Sequence, residues 1–324
     1  MNMRVIIYGV GAVGGVIGAA LVLKGIEVVG IARGGMLEAI REKGLRLRGP
    51  EIDTTVRFQC VSAPADIDFR PDDAILLCMK TQDTEMALEE LREAGVRDQP
   101  IFCMQNGVEN ERLACRYFPN VHAVTVMLPG QYLAAGEVVT HGAPCFGMLE
   151  IGRYPQGSDT HDELLSEMLT DARIRSFFDP TVMESKYGKL LLNLTNIVGA
   201  ALGTLEGIDD IRAVLVSEAE AVYAAAGITF RDVGQNEERR REFMIISDVP
   251  GVERKGSSTS QSLLRNTGRV ETDYLNGEIV LLGRLHGIPT PANAWFTELG
   301  AKLAREGRTP GSVTRAEVTS ALGL

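Results

Sequence analysis

Residues 5–23 read VIIYGVGAVGGVIGAALVL, nineteen positions without a charge, held between Arg4 and Lys24. Three kinds of segment look like this. A membrane span needs about 20 apolar residues, and Gly11/Gly15 with Gly14/Gly18 supply the GxxxG spacing of membrane helix pairs. A basic residue ahead of an apolar run also imitates a secretory signal. The third reading rests on Gly9, Gly11 and Gly14, which spell GxGxxG directly after RVIIY, a short strand. The next nine residues decide among them. Lys24-Gly25 is a helix stop and residues 26–32 (IEVVGIA) read as a second β-branched strand. Strand, glycine turn, helix and strand fit within about 30 residues, the size of one βαβ unit. The stretch therefore opens a nucleotide-binding fold.

The chain of 324 residues suggests two domains. With 45% hydrophobic and 23% charged residues it has the composition of a soluble globular protein. No other uncharged run is comparably long, so no membrane association is expected. A net charge of −10 argues against nucleic acid or an anionic membrane surface as partner. Cys60, Cys78, Cys103, Cys115 and Cys145 form no CxxC, as expected of reduced thiols in a cytoplasmic protein. The four histidines are widely spaced without a ligand pattern, so no metal is expected.

Up to residue 178 apolar runs alternate with polar or amphipathic ones. Residues 73–79 (DAILLCM) read as a buried parallel strand, 84–94 as a helix ending at Gly95, and 101–104 as a further strand stopped at Asn106-Gly107. Strands come next over 121–128, 137–140 and 145–151, then a helix over 159–170. From Asp179-Pro180 the pattern turns helical, over 183–202, 211–226, 237–246, 270–286 and 292–305. Residues 236–242 (NEERRRE) mix both signs and read as a solvated helix face. The expectation is a Rossmann-type α/β domain over 1–178 and an all-helical domain over 179–324, with the dinucleotide on the first and substrate on the second.

The loop Gly9-Val10-Gly11-Ala12-Val13-Gly14 has a direct physical role. Gly9 permits the tight turn, Gly11 lets backbone approach a pyrophosphate, and Gly14 permits close helix–strand packing. Helix amides and dipole then hold the phosphates. Gly15 and Gly18 read as packing glycines. Arg33 ends the second strand, where an NAD site places Asp or Glu on the ribose; a guanidinium suits a 2′-phosphate and argues for NADP, the alternative being a solvent-exposed arginine after a strand. Lys80 and Asn106 come just after strand ends, where open α/β sheets bind ligands. Each reads equally well as a solvated loop lysine and a turn asparagine. Lys189, Asn193 and Asn196 fall at i, i+4 and i+7 on one helix face, with leucines between them. Buried, such a stripe is costly without a ligand; it suits a carbonyl and carboxylate substrate. A lysine with an ordinary pKa of about 10.4 is protonated at neutral pH and needs no tuning to act as an acid. The alternative is a stripe facing water.

These features in this order resemble the ketopantoate reductases (2-dehydropantoate 2-reductases), of the 6-phosphogluconate dehydrogenase-like superfamily. The resemblance runs through GVGAVG at 9–14, ARG at 32–34, CMKTQDT at 78–84, QNGVEN at 105–110, KLLLN at 189–193 and SST with ETDYLNG within 257–277. It implies Lys189 as catalytic acid, Asn193 on substrate, Lys80, Asn106 and Glu271 on the cofactor side, and Ser258 on substrate. The spacing from Ser258 to Glu271 is one residue longer than the family's pattern. Ile197 stands where a second substrate asparagine is expected, with Asn196 beside it. Lys186, one turn before Lys189, is the rival acid.

The resulting expectation is an NADPH-dependent reductase turning ketopantoate into pantoate in pantothenate and coenzyme A biosynthesis. Its partner is a small 2-oxo acid, and the resemblance is compatible with a homodimer as with a monomer. The alternatives are a relative reducing a different 2-oxo or 3-oxo acid, and a regulator that senses NADP without turnover.

Overall fold

The structure, a computed structural model, describes residues 3–234 and 237–324. It opens with β1 (Arg4–Tyr8), α1 (Ala12–Leu23) and β2 (Val28–Ile31), the βαβ unit expected. Then come α2 (Gly34–Lys43), the hairpin β3 (Leu45–Gly49) and β4 (Ile52–Val56), and β5 (Gln59–Val61). Next are β6 (Asp73–Leu77), α3 (Thr84–Glu93), β7 (Ile101–Cys103), α4 (Asn110–Ala114) and β8 (Val121–Met127). β9 (Gly130–Ala134), β10 (Glu137–Thr140), β11 (Gly142–Pro144), β12 (Gly147–Arg153), α5 (Thr160–Asp171) and β13 (Ile174–Phe178) complete the α/β part.

The main sheet has the order β13-β12-β8-β7-β6-β1-β2-β5. All its pairings are parallel except that of β12 with β8. β1, β2, β6, β7 and β8 are buried at every position, which explains their continuous apolar runs. Alternation sorts β1 onto two layers: Val5 and Ile7 pack on the α1 side, Ile6 and Tyr8 on the side of Leu88 and Leu91 from α3.

A second sheet, β4-β3-β10-β9, was not foreseen. It accounts for the membrane-like opening. α1 packs on β1 and β2 of the main sheet and also on β3, β9 and β10 of the second, so residues Gly14 to Leu21 are all buried. A helix covered on both sides is apolar all round. Gly15 belongs to this packing, since a Cβ there would stand 2.8 Å from a Val138 methyl of β10. No helix among the described residues is long and apolar enough to cross a membrane.

The remaining elements are α6 (Val182–Asn193), α7 (Asn196–Leu202), α8 (Asp209–Ala226), α9 (Glu238–Phe243), β14 (Met244–Ile246), α10 (Ser258–Leu264), α11 (Asn276–His286), α12 (Pro291–Arg305) and α13 (Arg315–Leu322). α8 is central to them, burying Ile211, Leu215, Ala219, Val222 and Tyr223 on one stripe. Its Glu218 accepts from the Ala292 and Asn293 amides at 2.8 and 3.0 Å and so caps α12.

The chain divides into two compact units, and the division is not a single cut at 179. One unit takes Met1–Gln105, Asn110–Ser185 and Val233–Glu253; the other takes Asn106–Glu109, Lys186–Asp232 and Arg254–Leu324. The expected all-helical stretch is thus interrupted by β14, which pairs antiparallel with β11. The stretch at 236–242 also differs from a solvated face. Asn236 lies outside the described residues, but Arg239 pairs with Glu237 and with the buried Glu150, over the Phe177 ring.

Candidate active site

In the first unit the glycine loop meets the conditions its sequence set. Gly9 has φ +102° and a Cβ there would lie 2.7 Å from the Met79 amide; at Gly14 it would lie 2.4 Å from the Gly9 carbonyl. The loop after β6 is therefore seated on the loop after β1, a contact reinforced by Cys78 N donating to Tyr8 O at 2.7 Å. Gly11 is different. A Cβ there would meet nothing within 4 Å, so the space over the α1 N-terminus is open. With Ala12, Val13 and Gly14 it forms the first turn of a helix, whose amides have no intrahelical acceptor. A pyrophosphate fits that cradle. Lys80 is half-buried in the same 78–80 loop, leading into a 3-10 turn at Thr81–Asp83. Arg33 stands after β2 at the start of α2, more than half exposed, with Nη2 on the Glu90 carboxylate at 2.9 and 3.0 Å. The sequence reading missed Glu90, which lies 57 positions away with no local signal.

The second unit gathers the substrate-side candidates. Asn106 belongs to it although it comes soon after β7, and its Oδ1 accepts from Lys189 Nζ at 2.8 Å. The next residue, Gly107 at φ +80°, lets the loop pass so close to the Tyr274 carbonyl that a Cβ would stand at 2.9 Å. That carbonyl ends the turn Thr272–Tyr274, which Glu271 begins, itself 5% exposed. Lys189, Asn106 and the Glu271 turn are thus drawn together.

The stripe of Lys189, Asn193 and Asn196 does not run along one helix. α6 ends at Asn193 and α7 begins at Asn196, with a turn over 194–195. The broken turn frees the Leu194 carbonyl, which accepts from Asn276 Nδ2 at 3.2 Å; Asn276 is fully buried and also bonds Asn293 at 3.1 Å. Asn193 keeps its expected place one turn beyond Lys189. It is 8% exposed, and its Nδ2 has no hydrogen-bond partner among the described residues. Buried donors are seldom left unmatched, so this one fits an acceptor on a ligand. Asn196 is half-buried, and its carbonyl accepts from Ser257 Oγ at 2.9 Å. Ser257 also caps α10, accepting from Ser260 N at 3.2 Å, so of the two serines it is Ser257 that has the structural bonds. Ser258 stands at the first helical position beside it. Lys186 is on α6, 3% exposed.

Two other chemistries can be weighed. His122, Asp159 and His161 present ligand atoms within 4.8 Å of one another. However, Arg153 Nη1 already lies 2.7 Å from Asp159 Oδ2, and the two His122 nitrogens face Asp162 Oδ1 at 2.6 Å and Asn120 Oδ1 at 3.0 Å. One of the three candidate ligands is thus already paired with a guanidinium. None of the five cysteines forms a disulfide. Burial pushes the Cys60 thiol up to about 11 and raises that of Cys78 further, so neither is a ready thiolate.

Comparison with known proteins gives the family. The sequence profile described as "Ketopantoate reductase PanE/ApbA" matches residues 5–156, and "Ketopantoate reductase PanE/ApbA C terminal" matches residues 181–304. The chain belongs to the ketopantoate reductase family. It is thereby an oxidoreductase with a Rossmann-type domain and a helical C-terminal part. Among curated relatives, the 2-dehydropantoate 2-reductase of Archaeoglobus fulgidus is 28% identical over 302 residues, covering 91% of this chain and 96% of the relative. That of Pyrococcus horikoshii is 26% identical over 309 residues, covering 90% and 94%. A PanE/ApbA family ketopantoate reductase from Ralstonia eutropha superposes with a TM-score of 0.78 at 31% identity, covering 94% of this chain and 99% of its own. D-mandelate dehydrogenase, solved with NADH and anilino(oxo)acetate, superposes at 0.79 with 23% identity over 94% and 99% of the two chains. This last likeness shows the shared fold.

Proposed function

We propose that the protein reduces the ketone of a 2-oxo acid with NADPH, and that the acid is 2-dehydropantoate (ketopantoate), giving pantoate for pantothenate and coenzyme A synthesis in the cytoplasm. The observation that carries this reading is the Lys189 Nζ to Asn106 Oδ1 bond of 2.8 Å, with the unmatched Asn193 Nδ2 one helical turn on. It supplies a held ammonium beside a buried amide donor. A bound cofactor would have its pyrophosphate on the first-turn amides of Ala12, Val13 and Gly14 and its 2′-phosphate on Arg33, and Lys80, Asn106 and Glu271 would take the cofactor roles that the family resemblance implies. A bound nicotinamide would supply the hydride that C2 of the substrate accepts. Lys189 gives its proton to the developing alkoxide oxygen, Asn106 fixes the direction of Nζ, and Asn193 and Ser258 orient the substrate. Lys189 then regains a proton from solvent. Asn196 enters through its position beside Asn193.

A different 2-oxo acid is the second reading, favoured by Ile197. Its side chain is fully buried in α7, so it offers no polar group where the family pattern has a second amide. NADPH oxidation monitored with ketopantoate and a panel of 2-oxo and 3-oxo acids separates the two. Turnover fastest with ketopantoate is expected; a faster acid in the panel replaces it as substrate, and tight NADPH binding without any oxidation would point to a sensor. Arg33→Ala is expected to weaken NADPH binding by roughly tenfold or more, the loss of a charge-assisted contact. NADH binding should change far less, and equal losses would remove Arg33 from the 2′-phosphate.

A further inference from the structure

Tyr8, Arg33 and Glu90 form a cluster at the carboxyl edge of β1 and β2 that the proposed hydride and proton transfers leave unused. Tyr8 is the last residue of β1, 5% exposed, and pairs across the sheet with Ile31, two residues before Arg33. Its hydroxyl donates to Glu90 Oε2. Burial, then the adjacent Glu90 carboxylate, raises the phenol above its ordinary range, so it stays a donor. The carboxylate is thus anchored from below and takes Arg33 Nη2 on both oxygens, at 2.9 and 3.0 Å. Only one guanidinium nitrogen is engaged. Nη1 and Nε of Arg33 have no hydrogen bond among the described residues.

The consequence is electrostatic. A lone arginine after β2 discriminates strongly for a 2′-phosphate, and a lone acid there discriminates for a ribose 2′-hydroxyl. Here both charges are present and cancel. We infer that Glu90 is a specificity-determining residue which, set against Arg33, gives the site comparable use of NADPH and NADH. The inference rests on the dinucleotide reading of the glycine loop and deepens it. With a phosphorylated ribose, Arg33 offers Nη1 and Nε while the Glu90 carboxylate repels the added charge. With an unphosphorylated ribose, the carboxylate accepts from the 2′-hydroxyl in the manner of an acid at the end of β2. The glutamate comes from α3 instead, where a sequence motif does not look for it.

Dissociation constants for NADPH and NADH, measured by calorimetry on the full chain, test this. Glu90→Gln keeps the size of the side chain and removes its charge. It is expected to raise the preference for NADPH over NADH by about tenfold, the scale of one charge removed from near a phosphate at a surface. Glu90→Ala should move the ratio the same way. Tyr8→Phe frees the carboxylate without neutralising it and should move the ratio much less. An unchanged ratio in Glu90→Gln, or one shifted toward NADH, overturns the inference and makes Glu90 a support for Arg33. Failure of the unsubstituted protein to bind either nucleotide would instead remove the dinucleotide reading, and the inference with it.

Discussion

Replacing Lys189 with alanine is expected to cut turnover by about 10²–10⁴-fold, the range carried by a positioned general acid, while NADPH binding is nearly kept. The size of the effect comes from what the ammonium does. Reduction of a ketone leaves charge on oxygen, and without a donor the developing alkoxide is stabilised only by neutral hydrogen bonds. Asn106 matters here because it fixes Nζ at 2.8 Å, so Asn106→Ala should lower turnover through the same step, by less. Lys186 tests the assignment. It lies one turn earlier on α6 and is 3% exposed against the half-buried Lys189. If Lys186→Ala were the crippled variant and Lys189→Ala turned over normally, the acid would move by one turn. A single-turnover measurement keeps the comparison on chemistry and away from product release.

The parts of this molecule that were legible from sequence are those whose signal is local. GxGxxG lies between two apolar strands within one βαβ unit, so its environment is written next to it. The second sheet was not legible. β3 reads LRLRG, with Leu45 and Leu47 inward and the arginines outward, and five residues of that kind resemble a loop as much as a strand. Its parallel partner β10 comes some ninety positions later, and nothing in either segment names the other. The same holds for β14, whose three residues Met-Ile-Ile follow the charged helix α9 directly, with no turn residue between them. At the site, the residue types on α6 were legible and their geometry was not. The stripe predicted a continuous helix, whereas a turn at 194–195 divides it, supported by Asn276 from 82 positions away. Glu90 was invisible for the same reason: a charge pair across 57 positions leaves no periodicity.

Gly188→Ala is expected to reverse what a sequence rule gives. Alanine for glycine inside a helix favours folding by about 1 kcal/mol on intrinsic propensity, and Gly188 is well inside α6. Yet a Cβ at this position would lie 1.8 Å from the Arg231 carbonyl oxygen and 2.9 Å from its carbon. The opposing group is backbone, so no rotamer relieves it. Nor is the 228–232 connection free to retreat. Phe230 packs on Tyr223 with ring centres 5.5 Å apart, and Tyr223, buried within α8, holds the Tyr187 carbonyl at 3.2 Å and its ring at 5.3 Å. Overpacking that forces backbone to move ranks among the large single-site effects, so the net cost should exceed about 4 kcal/mol. The urea midpoint should fall steeply. Because Lys189 is the next residue, any variant that does fold should show its α6 displaced first in turnover. A midpoint raised by the propensity gain alone would mean that the chain does not approach α6 so closely at Arg231, and the placement of Lys189 would then need revising with it.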